Sequence, residues 1–239
     1  MLETSQTQIE FRVWSRFALF TDPVTRVGGE KCSYHIPTYE ALKGITKSIY
    51  WKPTFIWVVD DVRVMKPIRT QTKGTKPREY VGGGNTLAIY TYLADVEYQV
   101  RAHFEWNPHQ PGLEKDRIET KHVAIASRML ERGGRQDVFL GTRDCQGYVE
   151  PCPFGSGPGT YDDAGELAFG LMFHGFDYPD ETGQTMLRSR FWKPTMVNGV
   201  IRFPRPEACT VSRDVRQMHA KPFGLQRNIR PVGVEEGQD

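Results

Sequence analysis

Lys121 and His122 stand side by side at the start of the helix-like stretch "DRIETKHVAIASRMLERGG", residues 116–134. A histidine can give or take a proton near neutral pH. A lysine offers a fixed positive charge to crowded phosphate oxygens. Neighbours on a helix lie about 100° apart, so both reach one phosphate only if the helix start points into the site. The free N–H groups of a helix N-terminus favour an anion there as well. By spacing alone the pair also fits a solvated helix end. Tyr50, in "KSIYWKPT", brings a hydroxyl that can donate, accept or, beside a lysine, act as a base. By residue type it equally suits a core position. Lys47 and Lys52 flank it, and basic residues interleaved with aromatics suit nucleic acid.

Other chemistries lack their residues. The six histidines, at 35, 103, 109, 122, 174 and 219, form no HExxH or HxH. The cysteines at 32, 145, 152 and 209 contain no CxxC, so they read as reduced thiols, with no metal site and no cofactor expected. "GGGNT" lacks the lysine of a Walker loop, and there is no GxSxG elbow. What the remaining groups suit is metal-free RNA cleavage. RNA carries its own nucleophile, the 2′-hydroxyl, which DNA lacks. An enzyme then need only deprotonate it, stabilise charge on phosphorus and protonate the 5′ leaving oxygen.

The charge distribution fits a polyanion partner. Residues 43–80 hold nine Lys or Arg against three Asp or Glu, a net of +6. Residues 144–184 hold eight acidic residues and no basic ones, and residues 201–230 carry a net of +5. A field segregated in this way marks a phosphate-binding side and a side that should avoid phosphate. Solvated faces give the same pattern. Arg69, Lys73, Lys76 and Arg78 fall in "RTQTKGTKPREYVGGGN", a basic glycine-rich stretch expected to be a mobile loop. In it Gly82, Gly83 and Gly84 permit close backbone approach to a ligand.

The positioning elements follow from periodicity. "IEFRVW" alternates like a half-buried strand. Thr38 should cap a helix whose Leu42, Ile45 and Ile49 stack on one face and which ends before Pro53. "TFIWVVDDVRVMKPI" reads as a strand. "TLAIYTYLADVEYQVRAHFEW" reads as two strands joined near Ala94-Asp95. The Lys121-His122 helix should end at Gly133-Gly134, and "QDVFLGT" reads as a short strand. That order gives an α+β, ferredoxin-like domain with one inserted hairpin strand. Beyond Asp144 the chain is dense in Gly and Pro, with short strands at "LAFGLMFHGFDYP", "MLRSRFW" and "GVIRFPRP". The expected division is 1–143 for the ferredoxin-like domain, 144–207 for a small antiparallel β-sheet domain, and 208–239 for a polar, basic, partly disordered tail. No apolar run approaches the ~20 residues of a membrane span. The N-terminus lacks a signal peptide's character, so a cytoplasmic protein with no membrane partner is expected.

Five stretches, "ALFTDPVTRVGGEKCSYHIPTYEALKGITKSIYWKPT", "VRVMKPI", "YVGGGNTLAIYTYL", "GTRDCQGYVEPCPFGSG" and "FDYPDETGQ", closely resemble the CRISPR-associated pre-crRNA endoribonucleases of the subtype I-C (Dvulg) system, in the RAMP superfamily. The resemblance runs from about Phe11 to Pro206. It implies a ferredoxin-like (RRM-like) N-terminal domain and a small β-sheet C-terminal domain. It also implies metal-independent cleavage of CRISPR repeat RNA at the 3′ base of the repeat hairpin, leaving a 2′,3′-cyclic phosphate. The protein would then stay on the 5′ handle as a subunit of the interference complex. The family's catalytic tyrosine falls on Tyr50, and its lysine and histidine on Lys121 and His122. Lys121 is expected to hold phosphate charge, and His122 or Tyr50 to move the proton. Lys47, Lys52, the cations at 69, 73, 76 and 78, and Gly82–Gly84 are the expected RNA contacts. Duplex DNA is a further partner that the resemblance allows. The alternatives are a subunit that binds the crRNA handle without cutting, and a duplex-DNA-binding protein.

Overall fold

The protein is described by a computed structural model covering residues 6–78, 81–221 and 223. In chain order its elements are β1 (Gln8–Ala18), α1 (Pro23–Arg26), α2 (Tyr39–Ile49), β2 (Phe55–Val64), β3 (Thr70–Thr75) and β4 (Ala88–Trp106). A 3-10 turn (Pro111–Asp116), α3 (Glu119–Glu131), β5 (Val138–Phe139) and β6 (Gln146–Pro151) follow. Then come β7 (Glu166–Ala168), β8 (Met172–Asp177), α4 (Pro179–Thr182), β9 (Met186–Trp192), β10 (Thr195–Val197), β11 (Val200–Arg202) and β12 (Val211–Gln217). Among the described residues the strands form an antiparallel main sheet in the order β5-β6-β1-β4-β2-β11-β10-β7, with β3 on β4, and a second sheet β12-β9-β8. The fold is a sheet-rich α+β arrangement.

The alternation in β1 buries Ile9, Phe11 and Val13 and turns Glu10, Arg12 and Trp14 to the other face. The helices pack where their apolar stripes demand. Thr38 caps α2, its hydroxyl accepting the Ala41 N–H at 3.2 Å. Leu42, Ile45 and Ile49 are buried against the sheet, each contributing about 1.5–3 kcal/mol of transfer free energy. α2 stops at Ile49, and Tyr50 is already extended at φ −160°. The last α2 carbonyls do not go unmet. Arg135 N–H bonds Ser48 O and Ile49 O at 3.0 and 3.2 Å, and Gln136 N–H bonds Ser48 O at 3.0 Å. This ties the end of α2 to the chain leaving α3, which ends at Gly133 with φ +83°.

Three sequence expectations change. The stretch read as two strands is one, β4, nineteen residues long. Asp95 takes φ +51° inside it, and the strand runs on through that residue. Part of the basic loop is a strand: β3 pairs along Ala88–Leu93 of β4, with Lys73 opposite Tyr90. Glu79 and Tyr80 of that loop lie outside the described residues. In the segment expected to be a tail, β12 pairs with β9 from Val211 to Gln217. All seven of its residues are exposed, so it carries no buried-exposed alternation to read. The rest of that segment, residue 222 and residues 224–239, is not described.

Strands are also shared across the expected boundary at 143/144. β6, β7, β10 and β11 all hydrogen-bond into the main sheet. Among the described strands of 144–207, β8 and β9 stand apart from it, in the sheet completed by β12. The acidic stretch 144–184 supplies internal counter-charge. Asp162 chelates the buried Arg63 guanidinium at 2.7 Å, and Glu181 takes both Lys43 and Lys47.

Candidate active site

Tyr50 and His122 meet although 72 residues separate them. Tyr50 follows the last turn of α2, and its carbonyl is fixed by the Trp57 indole N–H at 2.7 Å. His122 lies in the first turns of α3, and its N–H makes the helix's opening bond to Ile118 O at 3.2 Å. The Tyr50 hydroxyl stands 2.9 Å from His122 Nδ1. The opposite ring nitrogen, Nε2, lies 2.7 Å from the backbone carbonyl of Asp116. A carbonyl only accepts, so Nε2 carries the hydrogen. In the neutral ring Nδ1 is then the acceptor, and the Tyr50 O–H donates to it.

Burial keeps the ring neutral. His122 has no exposed surface and Tyr50 keeps 1%. Phe55, Trp106, Tyr50 and Phe104 surround the imidazole at centroid distances of 5.2, 5.8, 6.0 and 6.2 Å. Burial pushes its pKa below the ordinary histidine value, against the opposing pull of the Asp116 carbonyl and carboxylate. The charges of Lys121 and Lys52 push the same way as burial, so Lys52 belongs to the electrostatic surroundings of the ring.

Asp116 joins the pieces. Its Oδ1 holds Lys121 Nζ at 2.6 Å, and its Oδ2 accepts from Thr54 Oγ at 2.6 Å. The same Oδ2 stands 3.4 Å from His122 Nε2. Burial alone would raise the Asp116 pKa, but the bonds from Lys121 and Thr54 and the charge of Lys121 outweigh it and hold the carboxyl below its usual range. Tyr50, His122, Asp116, Lys121 and Thr54 thus make one network. Its member with the most open side chain is Lys121, at 27% exposure. Asp116 and Thr54 were absent from the sequence-derived site. The signal present in the sequence was an acid five and six residues ahead of the Lys-His pair.

The other nominated residues lie elsewhere. Lys47 is spent on Glu181 at 2.9 Å. Lys73 lies over the Phe17 ring, 2.9 Å from its centroid, with Tyr92 at 5.0 Å. Arg69, Lys76 and Arg78 are exposed, as are Gly82, Gly83 and Gly84. Gly82 and Gly83 adopt φ +89° and +69°, which only glycine takes without strain. These residues form an arm on the β3 side of β4. From Tyr90, opposite Lys73, to Trp106, beside His122, β4 runs sixteen residues, roughly 50 Å of strand. The arm and the Tyr50–His122 pair therefore occupy opposite ends of one strand. Among the described residues, no group of three or more His, Cys, Asp or Glu stands together as a metal-ligand set. No helix among them is long and apolar enough to cross a membrane.

Comparison with known proteins shows the family. The family profile described as "CRISPR-associated protein (Cas_Cas5)", of the Cas5d type, matches residues 8–204. A CRISPR pre-crRNA endoribonuclease Cas5d from Mannheimia succiniciproducens is 27% identical over 226 residues, covering 82% of this chain and 95% of that protein. A protein of the same name from Thermus thermophilus is 30% identical over 178 residues, covering 70% of this chain and 74% of the relative. Two crystal structures superpose with a TM-score of 0.71 over 86% of this chain and 96% of theirs. One is a CRISPR-associated protein at 36% identity, the other a functionally uncharacterized Streptococcus mutans protein at 38%. With the matched segment running from the start of β1 past the end of β11, this chain belongs to the Cas5d family of CRISPR-associated RAMP proteins.

Proposed function

We propose that this chain is a metal-independent endoribonuclease that cuts CRISPR repeat RNA at the 3′ base of its hairpin. The observation that carries the reading is the 2.9 Å Tyr50–His122 bond with Asp116 behind the ring and Lys121 at the solvent side. The names of the two curated relatives support the substrate class. The Tyr50 oxygen takes the proton of the RNA 2′-hydroxyl as its own proton passes to His122 Nδ1. The imidazolium that forms faces the Asp116 carboxylate, which offsets its charge much as the aspartate of a catalytic triad does. The 2′-oxygen bonds phosphorus while the bond from phosphorus to the 5′-oxygen breaks. Lys121 faces the phosphate oxygens, and solvent on that side protonates the 5′-oxygen. The products are a 2′,3′-cyclic phosphate and a free 5′-hydroxyl. The protein then keeps the 5′ handle as a subunit of the interference complex, in the cytoplasm.

The strand order β6-β1-β4-β2, with α2 and α3 packed on each other, supports a ferredoxin-like core for this reading. One observation favours the non-catalytic alternative, in which the chain holds the handle without cutting. Tyr50 and His122 are closed off, so cutting requires them to open toward RNA. A single assay decides. Repeat RNA from the same locus is incubated with the chain in EDTA, beside a substrate with one 2′-deoxy sugar upstream of the cut. Cleavage of the first and not the second is expected. Cutting of the 2′-deoxy substrate removes internal attack, and absence of any cutting favours handle binding alone.

A further inference from the structure

The aspartate of the proton relay lies outside any regular element. Asp116 closes the 3-10 turn, and the exposed Ile118 caps the start of α3 two residues on. The terminal torsion of an aspartate has a broad preference, so the direction of its carboxylate must come from what it touches. One partner is Lys121, whose side chain is 27% exposed. The other is Thr54, 1% exposed, whose Oγ donates to Oδ2 at 2.6 Å.

Thr54 is anchored on the sheet. It lies in the turn that leads into β2, where the Phe55 N–H reaches Lys52 O at 3.4 Å. Its carbonyl accepts the Asn107 N–H at 2.9 Å, one step beyond the Phe55–Trp106 pair, so the β2–β4 ladder runs on through it. Asn107 is 3% exposed. Its Nδ2 donates to Asp180 O at 2.8 Å, and its carbonyl accepts from Arg117 Nη2 at 2.9 Å. Asp116 and Arg117, neighbours in the chain, are therefore pinned to two paired strand ends, Thr54 and Asn107. Branching at Cβ restricts the Thr54 side chain further. The oxygen that Thr54 holds is the one facing the ring: Oδ2 stands 3.4 Å from His122 Nε2, while Oδ1 takes Lys121 at 2.6 Å. With the Thr54 donor gone, the charged partner left to steer the carboxylate is Lys121, on the solvent side and away from the imidazole.

We propose that Thr54 is a positioning residue of the proton relay. Its hydroxyl, fixed by the end of the β2–β4 ladder, keeps the Asp116 carboxylate beside the His122 ring, so that the imidazolium formed during cleavage finds its counter-charge in place. Thr54 touches neither RNA nor the reacting atoms and acts only through Asp116. Its part in cleavage rests on the nuclease reading above, whereas the placement of Asp116 rests on the hydrogen bonds themselves.

The test is single-turnover cleavage of repeat RNA at saturating protein, with filter binding alongside, and an NMR titration of the His122 ring in the RNA-free full chain. Thr54→Val keeps the shape and loses the donor. Its saturated rate should fall about tenfold or more, the scale of a misdirected functional group. RNA affinity should hold, because the residue is buried. Thr54→Ser keeps the hydroxyl and should restore most of the rate, which a purely structural loss would not predict. The Asp116 charge raises the His122 pKa, so the ring should titrate at a lower pH in Thr54→Val than in the parent. Should Thr54→Val fail to fold, Thr54→Cys, with its weak S–H donor, should show the same losses in smaller measure. A Thr54→Val rate within about threefold of the parent overturns the proposal, and so does a Thr54→Ser variant as slow as Thr54→Val. A parent that never cuts repeat RNA sinks the nuclease reading. The titration then decides alone: a lower midpoint in Thr54→Val upholds the placement of Asp116 by Thr54, and an unchanged one overturns it.

Discussion

Replacing Tyr50 by phenylalanine removes one oxygen and keeps the ring that packs on Phe55. The His122 Nδ1 acceptor, inside a fully buried neutral imidazole, then loses the donor 2.9 Å away. Leaving a buried acceptor unmet costs about 1–3 kcal/mol. At roughly 2–4 °C per kcal/mol for a chain of this size, Tm should fall by about 2–12 °C. Cleavage should fall much further. A positioned proton-transfer group is worth about 10²–10⁴ in rate. At 1.36 kcal/mol per decade that is about 2.7–5.4 kcal/mol of transition-state stabilisation. RNA affinity should hold, because a hydroxyl on a residue 1% exposed makes no contact with a docked strand in the closed site. The assay is single-turnover cleavage of end-labelled repeat RNA at saturating protein, with filter binding and a thermal melt alongside. A variant that cuts within about threefold of the parent refutes the relay. A lowered Tm with unchanged cleavage would make the hydroxyl a structural donor only.

Asp116→Asn should slow cleavage about 10–100-fold, the usual cost of removing a group that orients a functional histidine. It should also move the acidic limb of the pH–rate profile to lower pH, because the carboxylate raises the His122 pKa against burial. Stability should fall on acidification below about pH 6.5, the unfolded histidine value. His122 is depressed and His174 is pushed down to about 3, mainly by burial, so the unfolded chain binds the extra protons in that window. Denaturant melts at pH 7 and pH 5 should show the loss, and His174→Phe should reduce it. Single alanine substitutions of Arg69, Lys76 and Arg78 should weaken RNA binding with little effect on saturated cleavage. Each should lower the salt dependence of binding by about 0.7–0.9 in log–log slope if its cation meets a phosphate.

The helices were legible because their signals are local. Thr38 and the Leu42-Ile45-Ile49 stripe mark α2, and Gly133 marks the end of α3. Tyr50, Lys121 and His122 were legible as types, and more so by resemblance, but their contact was not. Asp116 escaped notice because its value comes from where the 3-10 turn carries it, against Thr54 and the α3 start. Charge segregation misled in part. The acids of 144–184 fold back onto Arg63, Lys43 and Lys47, so the basic run is partly neutralised from within. A single positive-φ residue, Asp95, hid the continuity of β4.

The 72-residue separation of Tyr50 and His122 also has a kinetic meaning. Closing a loop of that length costs about 4 kcal/mol of chain entropy on the logarithmic scaling alone. β2 and β4 lie within it, and their ladder runs from Phe55 opposite Trp106 to Val64 opposite Tyr98. That long-range pairing supplies the interactions that offset the closure. Local helix formation in α2 and α3 cannot assemble the pair, so a nascent chain still short of α3 carries Tyr50 without His122. On the proposed mechanism, the ability to cut would arise only with the tertiary fold, and a chain that has not reached it should not cleave RNA.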